Sequence, residues 1–236
     1  MRLDRFIASQ RAELSRSDVK ALIKRGRVTV NGAPASRADM QISENSDTVC
    51  LGGEEISYRE HVYIMLNKPA GVICATRDGL SKTVLELVPP ELRRAGLFPA
   101  GRLDKDTEGF VLLTDDGALA HRMLSPVSHV PKTYLVKLEK PCEKGIIDIF
   151  AAGAVIDGNE KCLPAELTIS PDPCLVTLVL HEGKYHQVKR MFLSVNNKVL
   201  YLKRISIGNM VLDENLAPGK CLEILHKDVE KLLAQS

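Results

Sequence analysis

From Gly101 to Gly109 the chain reads Gly, Arg, Leu, Asp, Lys, Asp, Thr, Glu, Gly, crowding three acids and two bases between two glycines. Glycine at both ends permits tight turns that other residues resist. Leu97-Phe98-Pro99-Ala100 precedes the cluster and the apolar run Phe110-Val111-Leu112-Leu113 follows it. So dense a charge cluster between strand-like segments is a loop carried on a scaffold, which is where catalytic groups concentrate. Asp104, Asp106, Glu108, Gly109 and Asp115 also fall at ligand and glycine positions of a calcium-binding EF-hand. The flanks argue against that reading. Gly96, Pro99 and Gly101 break the entering helix it requires, Asp115 stands where a bidentate Glu is expected, and there is no second hand.

With 236 residues, 44% of them hydrophobic, the chain can bury a core and form one large domain or a small and a medium one. No apolar run approaches the roughly 18 residues of a membrane span. Met1-Arg2-Leu3-Asp4 begins no signal peptide, so the expected location is cytoplasmic. Six cysteines without a C-x-x-C pair and six histidines without H-x-x-x-H spacing offer no zinc site. Reduced, mostly buried thiols are expected. The net charge of +2 is small but unevenly placed. Residues 1–30 carry eight Lys or Arg against three acids, and residues 181–204 carry six against one. Two separated basic regions suit a ligand that runs along the surface, as RNA does.

Leu3, Phe6 and Ile7 have helical spacing, and a second helix starts at Ser15 or Ser17 as N-cap, with the stripe Val19, Leu22, Ile23 and a terminating Gly26. Val28 to Gly32 reads as a strand ending in a turn, Asp47 to Leu51 as the last strand of a first module, and Gly52-Gly53 with Ser57 to Glu60 as a connector. A boundary is expected near residue 60. Beyond it, strands are predicted at 62–66, 72–75, 110–114, 133–139, 154–157, 163–170, 174–180, 199–207 and 221–224. Helices are predicted at 83–87, at 118–124 with Asp115 or Asp116 as cap, near 144–151, at 185–195 and from Asp228. Strands outnumber helices without regular alternation, so the expected class is α+β with a large, mostly antiparallel sheet.

Arg2-Leu3-Asp4-x-Phe6-Ile7, Ser15-Arg16-Ser17 and Leu22-Ile23-x-x-Gly26-Arg27-Val28-x-Val30-Asn31-Gly32 resemble an S4 RNA-binding domain. The resemblance implies that residues 1–60 present Arg16, Lys20, Lys24, Arg25 and Arg27 to RNA backbone. The Gly101–Gly109 signature resembles that of pseudouridine synthases, in the branch that modifies small-subunit ribosomal RNA. Tyr63 to Pro69, Lys132 to Val136 and Glu182 to Met191 resemble the family's other motifs, in the family's order. Residues 61–236 are thereby expected to form the catalytic domain. The resemblance makes Asp104 the catalytic acid, either as nucleophile toward base or sugar or as a base, and Tyr134 the residue that stacks on the flipped uracil. It puts a basic residue beside Asp104, Lys189 or Arg190. A helix separates those two by about 100°, so only one can face the acid. Arg102 either fills the gap left by the flipped base, binds a phosphate, or pairs with Asp106. Arg190, if it does not face Asp104, joins Arg102 among the RNA contacts. Tyr185 and His186 match no residue of known catalytic role and are read as structural.

Conversion of uridine to pseudouridine is an isomerisation, and neither metal nor cofactor is expected. The expected partner is 16S rRNA, free or within a small-subunit assembly intermediate, and the chain is expected to be a monomer. Two alternatives are a synthase of the same family acting on 23S rRNA and a non-enzymatic S4-domain assembly factor. The intact set of Asp104, Tyr134 and Lys189 argues against the second.

Overall fold

The helical spacing of Leu3, Phe6 and Ile7 yields α1 (Leu3–Gln10), with all three side chains buried. The computed structural model describes residues 1–233, which divide into two units: Met1–Val62 with Pro89–Leu97, and Tyr63–Val88 with everything from Phe98 onward. The segment 89–97 belongs with the first unit, which a division at a single boundary does not anticipate.

In the first unit Ser15 caps α2 (Arg16–Lys24) through a reciprocal box with Asp18, and Gly26 follows the helix at φ 67°. A four-stranded sheet follows, made of β1 (Val28–Val30), β2 (Ala33–Pro34), β3 (Val49–Leu51) and β4 (Glu54–Glu55) in the order β2-β1-β3-β4. Gly52-Gly53 is the tight turn between β3 and β4 and not a connector, because Glu54 and Glu55 pair back onto Leu51 and Cys50. Val19 and Ile23 of α2 join Leu3, Phe6 and Ile7 over Val28, Val30 and Val49 to make the unit's core. Asp4 is buried in it, and the Arg2 guanidinium at 2.8 Å holds its carboxyl below the usual range.

The second unit is built on β5 (Tyr63–Lys68), β6 (Phe98–Ala100), β7 (Glu108–Thr114), α3 (Gly117–Leu124), β8 (Lys132–Leu138), α4 (Gly145–Ala151), β9 (Val155–Ile156), β10 (Glu160–Lys161), β11 (Glu166–Ile169), β12 (Leu175–Leu180), α5 (Gln187–Ser194), β13 (Val199–Ile207), β14 (Met210–Val211) and β15 (Cys221–Glu223). Nine of these strands form one sheet, ordered β11-β12-β8-β13-β7-β5-β15, with β6 on β7 and β14 on β13. The expected α+β class with a mainly antiparallel sheet holds; within this sheet only β7 and β13 run parallel. β5 is buried along its whole length, as a central strand covered on both faces must be, whereas β12 alternates buried and half-buried side chains. Asp116 accepts the Leu119 N–H at the head of α3, which lays Leu119, Ala120 and Met123 against Met65, Phe110 and Leu112. Phe150 of α4 meets Phe192 of α5 edge-on, with ring centroids 5.1 Å apart.

Three expected elements differ. Residues 72–75 form no strand: Ile73 spends its backbone groups on Lys82 and Val84, leaving an isolated bridge to Thr83. Residues 163–165 stay outside β11, where Pro164 removes a ladder donor. The terminal helix is a 3-10 turn, His226–Leu232, that starts before Asp228.

Candidate active site

The loop from Gly101 to Thr107 leaves β6 and returns into β7, and its shape is set from within. Thr107 N–H closes a turn onto the Asp104 carbonyl at 3.1 Å, and Gly71 N–H reaches the Lys105 carbonyl at 2.7 Å. Under the loop lies Lys68, at the end of β5, with a side chain that is entirely buried. Its ammonium donates to the carbonyls of Thr107 (2.7 Å), Pro69 (3.1 Å) and Lys105 (3.2 Å). Burial pulls its pKa below the ordinary lysine value, against the attraction of Cys74 and the loop acids. At the far end Gly109 sits at φ 101°, and a Cβ there would lie 2.2 Å from the Arg204 carbonyl oxygen. Glycine alone lets β7 come alongside β13 where the loop ends.

With the backbone so held, the Asp104 carboxylate stands at the mouth of a small pocket of about 90 Å³. Tyr134 on β8 and Leu202 on β13 supply part of its wall, and Arg102, exposed, lies at its rim. α5 brings two nitrogens to the carboxylate: Lys189 Nζ is 3.3 Å from one Asp104 oxygen, and His186 Nε2 is 3.5 Å from the other. His186 precedes the helix in left-handed conformation, φ 49°, and stacks on Tyr185 with centroids 3.8 Å apart. Gln187 ties the turn down, accepting the Lys184 N–H at 2.9 Å and donating to Glu182 at 2.7 Å.

Lys189 also donates to both oxygens of Asp106, at 2.6 and 2.8 Å. That hydrogen bond holds Asp106 below the usual carboxylate range. Burial pulls the Lys189 ammonium down, but the Asp106 hydrogen bonds and the Asp104 charge outweigh it and leave its pKa raised. Lys189 therefore faces the acid and Arg190 does not. The Arg190 guanidinium is spent on Asp157, on Glu160 and on the Tyr185 carbonyl, all on the side of the β9–β10 hairpin. Arg102 makes no ion pair among the described residues, since Asp106 is taken by Lys189. The pairing of Arg102 with Asp106 weighed from the sequence is not formed.

His186 is the neighbour that sequence reading left out of the site; nothing in its spacing marks it, because the αL turn that aims it is fixed by Gln187. Thr107 was passed over too. It lines the pocket, and its hydroxyl is buried with no hydrogen-bond partner among the described residues. In the first unit Arg16, Lys20, Lys24, Arg25 and Arg27 are all exposed and free of ion pairs among the described residues. Arg16, Lys20 and Lys24 fall at successive i, i+4 positions on one exposed stripe of α2, bordering the buried Val19 and Ile23. Among the described residues no helix is long and apolar enough to cross a membrane.

A carboxylate flanked by two nitrogens in a pocket, on an α+β domain that follows a module with an exposed basic helix, suits an enzyme that acts on RNA. Residues 62–194 match the RNA pseudouridylate synthase family and residues 1–47 match the S4 domain. The chain is 45% identical over 235 residues to an uncharacterized RNA pseudouridine synthase, YtzG, of Bacillus subtilis, covering 98% of each. It is 42% identical to the ribosomal small subunit pseudouridine synthase A of Haemophilus influenzae, covering 99% of this chain and 100% of that one. To the protein of the same name in Escherichia coli K12 it is 41% identical, again over 99% and 100%. A crystal structure of a pseudouridylate synthase superposes with a TM-score of 0.68 at 40% identity, covering 98% of this chain and 99% of that one. The chain belongs to the RNA pseudouridylate synthase family, with an N-terminal S4 domain, and is an isomerase.

Proposed function

We propose that this enzyme converts one uridine of small-subunit 16S rRNA to pseudouridine, with Asp104 as the catalytic acid. The observation that carries the reading is that Asp104 lines the same pocket as Tyr134, with its carboxylate 3.3 Å from Lys189. The choice of 16S rRNA rests on the relatives named as ribosomal small subunit pseudouridine synthase A, which match along nearly the whole chain.

The reaction breaks the bond from ribose C1′ to N1, turns the uracil over, joins C5 to C1′, and moves the C5 proton away while N1 gains one. Asp104 assists the cleavage as nucleophile or by removing a sugar proton on a glycal-forming path. Lys189 supplies a positive charge 3.3 Å from the Asp104 carboxylate. Tyr134 stacks on the extruded base, worth roughly 1–3 kcal/mol for such contacts. Arg102, unpaired at the rim, fills the vacated stack or takes a phosphate. Arg16, Lys20, Lys24, Arg25 and Arg27 carry backbone contacts; Arg190 is instead a brace between α5 and the β9–β10 hairpin. On this reading the enzyme works as a monomer in the cytoplasm, on free rRNA or an assembly intermediate, and residues 1–60 and 61–236 divide binding from chemistry.

The test is incubation with uridine-labelled small-subunit and large-subunit rRNA separately, with mapping of pseudouridine. One modified site in small-subunit RNA is expected. Asp104→Asn should abolish turnover and leave RNA affinity within a few-fold, because the carboxylate serves the transition state and not uniform binding. Modification confined to large-subunit RNA would overturn the substrate, and near-normal turnover by Asp104→Asn would overturn the site.

A further inference from the structure

Behind Tyr134 the sheet carries two cations for which the reaction as described has no use. Lys132 lies two residues before Tyr134 on β8, so both project from the same face. In the antiparallel register Lys132 is opposite Leu180 and Tyr134 is opposite Arg204, and directly opposed residues share a face. Tyr134, Leu180 and Leu202 all line the pocket, and Lys132 and Arg204, though not lining it themselves, project from the same face of the sheet beside those three side chains. Arg204 is 4% exposed; its Nε donates to the Phe110 carbonyl at 2.8 Å, while its Nη2 is buried with no partner among the described residues. Lys132 has no ion pair or hydrogen-bond acceptor among the described residues.

Among the described residues no acid pairs with either cation; Asp104, which lines the same pocket, is engaged by Lys189 and His186. Glu182, after β12, is taken by the Leu163 N–H, Gln187 and Lys184. His181 turns to the His129 carbonyl and Glu166. Tyr134 is the other titratable group on the Lys132 face of β8, and Arg204 the charged one from β13. Desolvation, with Arg204 adding repulsion, pushes the Lys132 pKa down to about 8. Two cations that repel each other in a desolvated wall are a standing cost, because buried charge is stable only when paired.

We propose that Lys132 and Arg204 form an anion subsite behind Tyr134, completed by a negatively charged oxygen of the substrate nucleotide. This rests on the proposed function. Two oxygens of that chemistry arrive with the substrate: a phosphodiester next to the extruded uridine, and the uracil oxygens that share the negative charge if the base leaves C1′ as an anion. Lys132, half-exposed, makes the contact; Arg204, enclosed, acts through its charge.

The experiment is Lys132→Met, which keeps length and removes charge, assayed beside the native chain from pH 7 to 9.5. kcat/KM reports groups of the free enzyme, so the native advantage should be about tenfold at pH 7 and shrink toward one as the Lys132 ammonium loses its proton. An advantage that is constant with pH, or none at pH 7, overturns the subsite. RNA affinity and single-turnover rate on bound RNA then separate the two sources. A phosphodiester contact weakens binding about tenfold and lowers the salt slope by roughly one, with the bound-state rate within about twofold. A contact to the departing base leaves affinity within about twofold and slows the bound-state step at least tenfold. Should the native chain make no pseudouridine, the function fails. The subsite is then decided by RNA affinity alone, which supports it only if the native advantage over Lys132→Met shrinks with rising pH.

Discussion

Gly109→Ala is the sharpest test of how the loop is held. The added Cβ would lie 2.2 Å from Arg204 O, 2.8 Å from Arg204 N and 2.9 Å from Lys203 Cγ. Ordinary contact begins near 3.4 Å, so β7 and β13 must part by about 1.2 Å at the Arg204–Gly109 pair, the C-terminal end of their short parallel ladder. Overpacking of this kind costs about 1–3 kcal/mol, and forcing an L-residue to φ 101° adds about 1–3 kcal/mol. A total near 2–6 kcal/mol is a large part of the ~5–15 kcal/mol that keeps a domain folded. Gly158→Ala is the matched control, with φ 82° but no atom within 4 Å of the new Cβ, so it isolates the backbone term. Urea denaturation of native, Gly109→Ala and Gly158→Ala chains should rank them in that sense, with Gly109→Ala less stable than the control by the overpacking cost alone, about 1–3 kcal/mol. A Gly109→Ala chain within about 1 kcal/mol of Gly158→Ala would refute the close approach of β7 to β13.

Lys68→Met removes the donor shared by two loop carbonyls and that of Pro69; stability should fall by only about 1–3 kcal/mol, because an apolar chain escapes the lysine's desolvation cost, while turnover falls at least tenfold in the folded protein. Full activity with normal stability would show that the loop does not need the clamp. Replacing Arg16, Lys20 and Lys24 together by Ala should weaken RNA binding across sequences and lower the salt slope by roughly one per lost phosphate contact; an unchanged slope returns the stripe to a solvated face. Lys132→Met should also raise Tm at pH 7. The folded-state pKa of Lys132, about 8, lies below the ordinary lysine value of 10.5, so the unfolded chain binds more protons between those values and native stability rises with pH across that window. The stabilising effect of the mutation should therefore shrink through the same window, and a gain that does not change with pH counts against a desolvated Lys132.

Local signals carried far in this chain. The caps of α2 and α3 could be narrowed to two candidates each, Ser15 or Ser17 and Asp115 or Asp116, of which Ser15 and Asp116 do the capping, because a cap is decided by residues three positions apart. The charged cluster between glycines marked the loop that holds Asp104 for the same reason. What escaped was set by distant partners. Residues 72–75 have strand composition, yet Ile73 bonds only to Lys82, Val84 and its own neighbour Ala75, and a strand without a ladder partner is no strand. Whether Lys189 or Arg190 meets the acid depends on the β9–β10 hairpin, whose Asp157 and Glu160 draw Arg190 off; no spacing within α5 contains that information. His186 reaches Asp104 only because its backbone is left-handed, a conformation non-glycine residues seldom adopt.

The presence of two acids around one lysine has a physical consequence for the reaction proposed. Lys189 sits 2.6 Å from Asp106 but 3.3 Å from Asp104, so its tighter hydrogen bonds belong to the more exposed acid, whose side chain is 73% accessible against 25% for Asp104. Asp106 thereby fixes the ammonium in place, and Asp104 receives its field without being locked into a bidentate pair. A nucleophile gripped as closely as Asp106 would have to break strong charge-assisted bonds before it could move toward a sugar or base. One gripped by nothing would have no fixed position and no opposing charge beside it when the pocket closes. Holding the cation by a second acid meets both demands at once. It also ties α5 to the loop that Lys68 clamps from below, so the reacting group is positioned before RNA arrives.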